Sequence, residues 1–124
     1  MQERYFISVK DTIDFLKSNA SVKKIVVIES IVLAENEKLT AIVHLADSSI
    51  LHIKERFRNG DLIKYSYHNI RTDKFIRWDN VPHHRDLNTF PDHKHENTVI
   101  VESKKMNIIS VFEELDKYVG MIMH

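Results

Sequence analysis

Asn59-Gly60 constrains this chain more than any other pair of residues. A two-residue hairpin turn of this kind needs φ above zero at both central positions, which asparagine and glycine tolerate and most other residues do not. The segment before it, Ile50 to Phe57, alternates, with Leu51, Ile53 and Phe57 on one side and His52, Lys54 and Arg56 on the other. The segment after it, Asp61 to Ile70, reads DLIKYSYHNI and supplies the partner strand. The middle of the chain is thereby committed to an antiparallel sheet.

The remaining elements extend that hairpin. Thr72-Asp73 is a second tight turn, leading into a strand over Lys74 to Asn80. Upstream, Asp47, Ser48 and Ser49 form a turn after a strand over Leu39 to Ala46, and Glu35 to Lys38 reads as the turn before that strand. Lys24 to Leu33, KIVVIESIVL, is almost continuously apolar and rich in β-branched residues, the pattern of a strand covered on both faces or nearly so. Thr98 to Val101 is a short apolar run suited to a sixth strand at an edge.

Helices are expected at both ends. Residues 6 to 19 carry Ile7, Ile13, Phe15 and Leu16, with Ser8 or Asp11 as the cap. Near the C-terminus Asn107 precedes Ile108, Val111, Phe112, Leu115, Val119 and Ile122, which recur at helical spacing. The fold class is α+β: an antiparallel meander of about five to six strands packed by an N-terminal and a C-terminal helix, in a single domain over residues 1–124.

Composition narrows the function. Eighteen Lys plus Arg balance eighteen Asp plus Glu, so any affinity for anions must be local rather than a property of the whole surface. The lack of cysteine excludes disulfides, thiolate zinc sites and cysteine nucleophiles together. No run approaches the ~20 apolar residues of a membrane span, and MQERYFISVK has no apolar signal core. A soluble, cytoplasmic protein without membrane contact is the expectation.

Counting outward from Thr72-Asp73 sets Ile70 opposite Phe75, His68 opposite Arg77, Tyr67 opposite Trp78, Ser66 opposite Asp79 and Tyr65 opposite Asn80. His68, Arg77, Ser66 and Asp79 then share one face, and Tyr65, Tyr67, Ile76 and Trp78 the other. The aromatic set is either core or a stacking platform for nucleobases, which would make Tyr65, Tyr67, Trp78 and Asn80 substrate-binding residues. The polar set is either a solvated face or part of a site.

Beyond it lies Arg77 to His95, RWDNVPHHRDLNTFPDHKH, which holds four of the eight histidines. Metal-free phosphodiester cleavage fits it: one histidine deprotonates a ribose 2′-hydroxyl, a second protonates the leaving 5′-oxygen, and a cation stabilises the phosphorane. Arg77 and Lys94 are the candidate cations, and Asp79 could orient a histidine. A metal site fits as well, from His83 or His84 with His93, His95 and an aspartate, because His93 and His95 point to one side of an extended segment. The spacing matches no standard zinc signature. The third reading is a polar loop used for partner contacts.

The order YSYH at Tyr65 to His68, RWDN at Arg77 to Asn80, PHH at Pro82 to His84 and PDHKH at Pro91 to His95 resembles the TumE-type toxin family, once catalogued as a domain of unknown function. The resemblance spans the second half of the chain. It implies a small toxin of a toxin–antitoxin pair, whose partner is a helix-turn-helix antitoxin and whose output is growth inhibition. Ribonuclease activity is the expectation by analogy with toxins of this size.

The leading reading is an RNA-cleaving toxin with His68, Arg77, Asp79, His83, His84, His93, Lys94 and His95 as its catalytic set and no cofactor. If a metal is used, its ligands are His84, His93 and His95. The alternatives are a metal-dependent hydrolase and a non-enzymatic module acting through a protein partner, and a homodimer through exposed strand edges stays open.

Overall fold

The computed structural model describes residues 8–122, with side chains described as far as residue 117. Its elements run α1 (Val9–Ser18), β1 (Val22–Val32), β2 (Asn36–Leu45), β3 (Ile50–Arg58), β4 (Asp61–Ile70), β5 (Phe75–Asp79), β6 (His93–Glu96), β7 (Val99–Glu102) and α2 (Ile108–Ile122). The strands make one antiparallel sheet in chain order, so the fold is α+β with one strand more than the upper sequence expectation.

Local chemistry sets the boundaries. Ser8 caps α1, its Oγ accepting from the Asp11 amide at 3.2 Å. Asn107 caps α2 in the same way, its Oδ1 accepting from the Ser110 amide at 3.0 Å. Each such cap contributes about 1 kcal/mol relative to alanine. At the central turn Asn59 and Gly60 take φ of 50° and 79°, as the hairpin requires. Ile7, and the side chains of Val119 and Ile122, lie outside the described residues.

Both helices cover one face of the sheet. Val9 and Leu16 of α1 and Ile108, Val111, Phe112 and Leu115 of α2 join a core with the inward residues of β2 to β5, among them Leu51, Ile53, Phe57, Tyr65, Tyr67 and Trp78. Phe15 and Phe112 meet edge to face, with ring centroids 5.3 Å apart. The opposite face has no helix among the described residues, and it carries the polar side chains.

The register predicted for β4 and β5 is the one observed: Ser66 pairs with Asp79, Tyr67 with Trp78, His68 with Arg77 and Ile70 with Phe75. Asn80 closes the far end, its Oδ1 accepting from the Tyr65 amide at 3.0 Å and its Nδ2 donating to the Ile63 carbonyl at 3.0 Å. A slip of one residue would turn the aromatic set to the open face and Arg77 and Asp79 toward the helices, so burial of the aromatics locks this register.

Three expectations fail. The apolar strand is not covered on both faces: only Val22 and Ile25 of β1 pack against the core, and the strand lies at the edge of the sheet. Val26, Val27, Ile28, Ile31, Val32 and Leu33 are 37% to 66% exposed. The turn expected at residues 35–38 falls earlier: Leu33 and Asn36 exchange backbone hydrogen bonds, and Asn36 already pairs with Arg58 across β2 and β3. Polar side chains there lie at the end of a hairpin, where they cost the ladder nothing. Finally, the polar-loop reading does not hold to the end of the histidine segment, since His93–Glu96 forms β6 between β5 and β7.

Candidate active site

The pairing of β5 with β6 builds the site. It sets Asp79 opposite His93, Trp78 opposite Lys94 and Arg77 opposite His95. Side chains alternate along a strand. Arg77, Asp79, His93 and His95 therefore share the open face, while Trp78 and Lys94 point to the helices. The intervening segment turns back over this face; the Val81 amide donates to Asp79 Oδ1 at 3.0 Å. That brings the His84 ring to 4.8 Å from His93 and 5.8 Å from His95, centroid to centroid, with His93 and His95 4.9 Å apart.

Asp79 is the hub. Its Oδ1 lies 2.9 Å from His93 Nε2, and its Oδ2 lies 3.0 Å from Arg77 Nε and 3.6 Å from His95 Nε2. Although it stands on the polar face, the segment above it leaves it buried. His93 is buried too, and its Nδ1 is 2.9 Å from the Pro91 carbonyl oxygen. Both His93 nitrogens thus face oxygen acceptors, and the contact with Asp79 is charge-assisted when the ring carries both protons.

His95 is set differently. Its Nε2 is 3.2 Å from Arg77 Nη2, and a guanidinium only donates, so Nε2 is the accepting nitrogen of a neutral ring. Burial and the Arg77 charge hold its pKa below the ordinary histidine value, against the opposing pull of Asp79. A histidine kept neutral in this way is a base already in its active form.

The sequence-predicted residues divide. Tyr65, Arg77, Asp79, His83, His84, His93 and His95 line one cleft of about 630 Å³. His68 does not line it; it sits on the far side of Arg77 against Phe75 and His52, with burial first and Arg77 second lowering its pKa. Lys94, expected as an anion-stabilising cation, is on the other face. Its Nζ is 3.0 Å from Glu96 Oε1 and 3.4 Å from Glu114 Oε2, the carboxylate that also accepts from Trp78 Nε1 at 2.9 Å.

Tyr65, Tyr67 and Trp78 are at most 1% exposed and hold the core rather than presenting ring faces to solvent. The Tyr65 hydroxyl donates to Asp92 Oδ1 at 2.6 Å and accepts from the Met106 amide at 3.3 Å, tying the segment before β6 to the segment before α2. Asn80 uses its amide on the β4 backbone, as described above.

The cleft is also lined by Lys38, Thr40, Lys54, Arg56 and Lys64, none of which the sequence singled out as a site residue. The alternation of β3 already placed Lys54 and Arg56 outward. Alternation from Ser66 places Lys64 outward as well; what a register shift between Arg56 and Phe57 adds is its partner, pairing Arg56 with Lys64 instead of Ile63.

Residues 14–119 match the model of a protein family described as Toxin TumE. The chain belongs to the TumE toxin family. No curated protein and no solved structure matches it. The TumE span includes every residue of the cleft, and membership brings with it a toxin role and an antitoxin partner. Among the described residues, no helix is long and apolar enough to cross a membrane.

Proposed function

We propose that this TumE toxin cleaves RNA by metal-free acid–base chemistry in the cleft around Asp79. The observation that carries the reading is the set of contacts to one buried carboxylate: Asp79 holds a guanidinium and two imidazoles within 3.6 Å, and a third imidazole stands against both rings. Proton carriers and a cation at one point are what phosphodiester transesterification needs.

The steps follow from the partners. A phosphate is a stronger acceptor for Arg77 than an imidazole nitrogen, so substrate draws Nη2 away and frees His95 Nε2. His95 takes the proton of the 2′-hydroxyl, the 2′-oxygen attacks phosphorus, and Arg77 stabilises the added charge. His84, half-exposed at the mouth of the cluster, is the proton donor to the 5′-oxygen as the P–O5′ bond breaks, leaving a 2′,3′-cyclic phosphate. Asp79 and His93 are positioning residues. The antitoxin is a helix-turn-helix protein, a reading supported by the motif resemblance; a short reading frame of that type beside the gene is its expected source.

A second reading has its own observation. His84, His93 and His95 each offer a ligand atom, all within 4.8 Å of one another, which suits a divalent metal. Assaying purified protein on cellular RNA with and without EDTA, for wild type, His84→Ala and His93→Ala, separates the two. Cleavage in EDTA that both variants lose supports the metal-free reading; loss in EDTA transfers the chemistry to a metal. Intact RNA at stoichiometric protein in all conditions rejects both.

A further inference from the structure

We infer that Lys54, Arg56 and Lys64 form a backbone-binding subsite of the same cleft, a track for the phosphates of single-stranded RNA flanking the bond that is cut. The inference rests on the nuclease reading and adds a substrate wall to it.

Register supplies the first argument. Lys38 pairs with Arg56 across β2 and β3, and Arg56 pairs with Lys64 across β3 and β4. Like charges directly opposite in a sheet repel and destabilise it. Lys38 is relieved by Glu29 at 3.0 Å, but Lys54, Arg56 and Lys64 have no ion-pair partner among the described residues. A chain with eighteen carboxylates has ample means to compensate them, yet the outward positions of β3 are His52, Lys54, Arg56 and Arg58. An uncompensated row of this kind is the local anion site that zero net charge left room for.

Position supplies the second. All three cations line the cleft that holds Arg77, His84, His93 and His95. Lys54 stands in the same cross-strand row as Ser66, Asp79 and His93. Arg56 and Lys64 stand in the next row, about 7 Å along the strands, on the side away from Arg77 and His95. A strand whose scissile phosphate meets Arg77 can therefore lay neighbouring phosphates along β4 and β3. Because Asp79 and His93 are buried at the floor, the occupant must be a chain narrow enough to be pressed into the cleft. Such contacts fix position without reading sequence.

The test is fluorescence anisotropy of a short labelled RNA, 2′-O-methylated so that it binds without being cut. It compares wild type with Lys54→Ala/Arg56→Ala/Lys64→Ala between 50 and 200 mM salt, where each phosphate contact contributes about 0.7 to the single-strand salt slope. The triple variant should lose about 2 from that slope and bind at least tenfold more weakly at the lower salt. Its melting temperature should equal or exceed that of wild type, since repulsion is removed; should it melt lower, Lys64→Gln alone is measured for a slope loss of about 0.7. Affinity and slope equal to wild type overturn the track, even if wild type cleaves RNA. A cation-dependent slope in a protein that cuts no RNA upholds the track and rejects the nuclease reading instead.

Discussion

The Asp79 carboxylate and the His93 imidazole meet at 2.9 Å, Oδ1 to Nε2, with side chains only 4% and 3% exposed. Two pieces of chain, one ending β5 and one opening β6, are joined there below the surface. Removing the carboxylate leaves the buried His93 nitrogen without its partner, at a cost of about 1–3 kcal/mol. Asp79→Ala should therefore lower the melting temperature by many degrees, and Asp79→Asn, which keeps the shape, by less. A melting scan in which Asp79→Ala equals wild type would show that Asp79 is not the hub of the cleft.

Lys94 and Arg77 separate position from composition. Lys94 faces Glu96 and Glu114 on the helix side, and Arg77 faces the cleft. Single-turnover cleavage should fall about 10²–10³-fold in Arg77→Ala, the usual effect of losing a charge-stabilising donor. Lys94→Ala should stay within a few-fold of wild type. Equal losses in both would contradict the sidedness of β6.

His95 sets the acid side of the pH profile. Burial and Arg77 disfavour its protonated form, so the neutral base persists to pH values below the ordinary 6.5. The acid limb of cleavage should accordingly fall below that value. In Arg77→Gln the His95 resonance, followed by NMR titration, should move upward in midpoint, because Asp79 then acts on it with less opposition.

Glu55 gives a prediction about stability alone. It is buried against Tyr67, whose hydroxyl donates to it at 2.6 Å, and burial raises its pKa from 4.5 to about 7. The folded state thus binds a proton that the unfolded state releases above pH 4.5. Stability from this group is present below that pH and is lost as pH rises through about 7, a total of roughly 3 kcal/mol. Wild type should melt at lower temperature at pH 8 than at pH 5, and Glu55→Gln should lessen that fall. An identical pH dependence in the two proteins would refute the assignment.

Much of the fold was legible because turns and alternation set it. Thr72-Asp73 alone determined which residues of β4 and β5 oppose one another, and so which face would carry Arg77 and Asp79. The misreading of β1 has a plain cause: KIVVIESIV has the composition of a covered strand, but composition does not say whether a strand is central or at an edge. β6 escaped because HKHE has no apolar period, and its strand character comes from its ladder with β5.

The site was half legible for the same reasons. The x spacing of His93 and His95 put both rings on one side of an extended chain, as observed. That alternation also sends Lys94 to the opposite side, which becomes decisive only once the segment is a strand. Lys54, Arg56 and Lys64 looked like an ordinary solvent face. Only the shift beside Ile63 aligns Arg56 with Lys64, and a shift of that kind leaves no mark in the local sequence.

On the proposed chemistry, the cleft cuts RNA through the RNA's own 2′-hydroxyl. The direct measurement is the product of a single-ribonucleotide substrate, a DNA strand with one ribose, incubated with wild-type protein in EDTA and resolved by mass spectrometry. One cut is expected, 3′ of the ribose, ending in a 2′,3′-cyclic phosphate, with the all-deoxy strand untouched. Cutting of the all-deoxy strand, or ends bearing 3′-hydroxyl and 5′-phosphate, would contradict it.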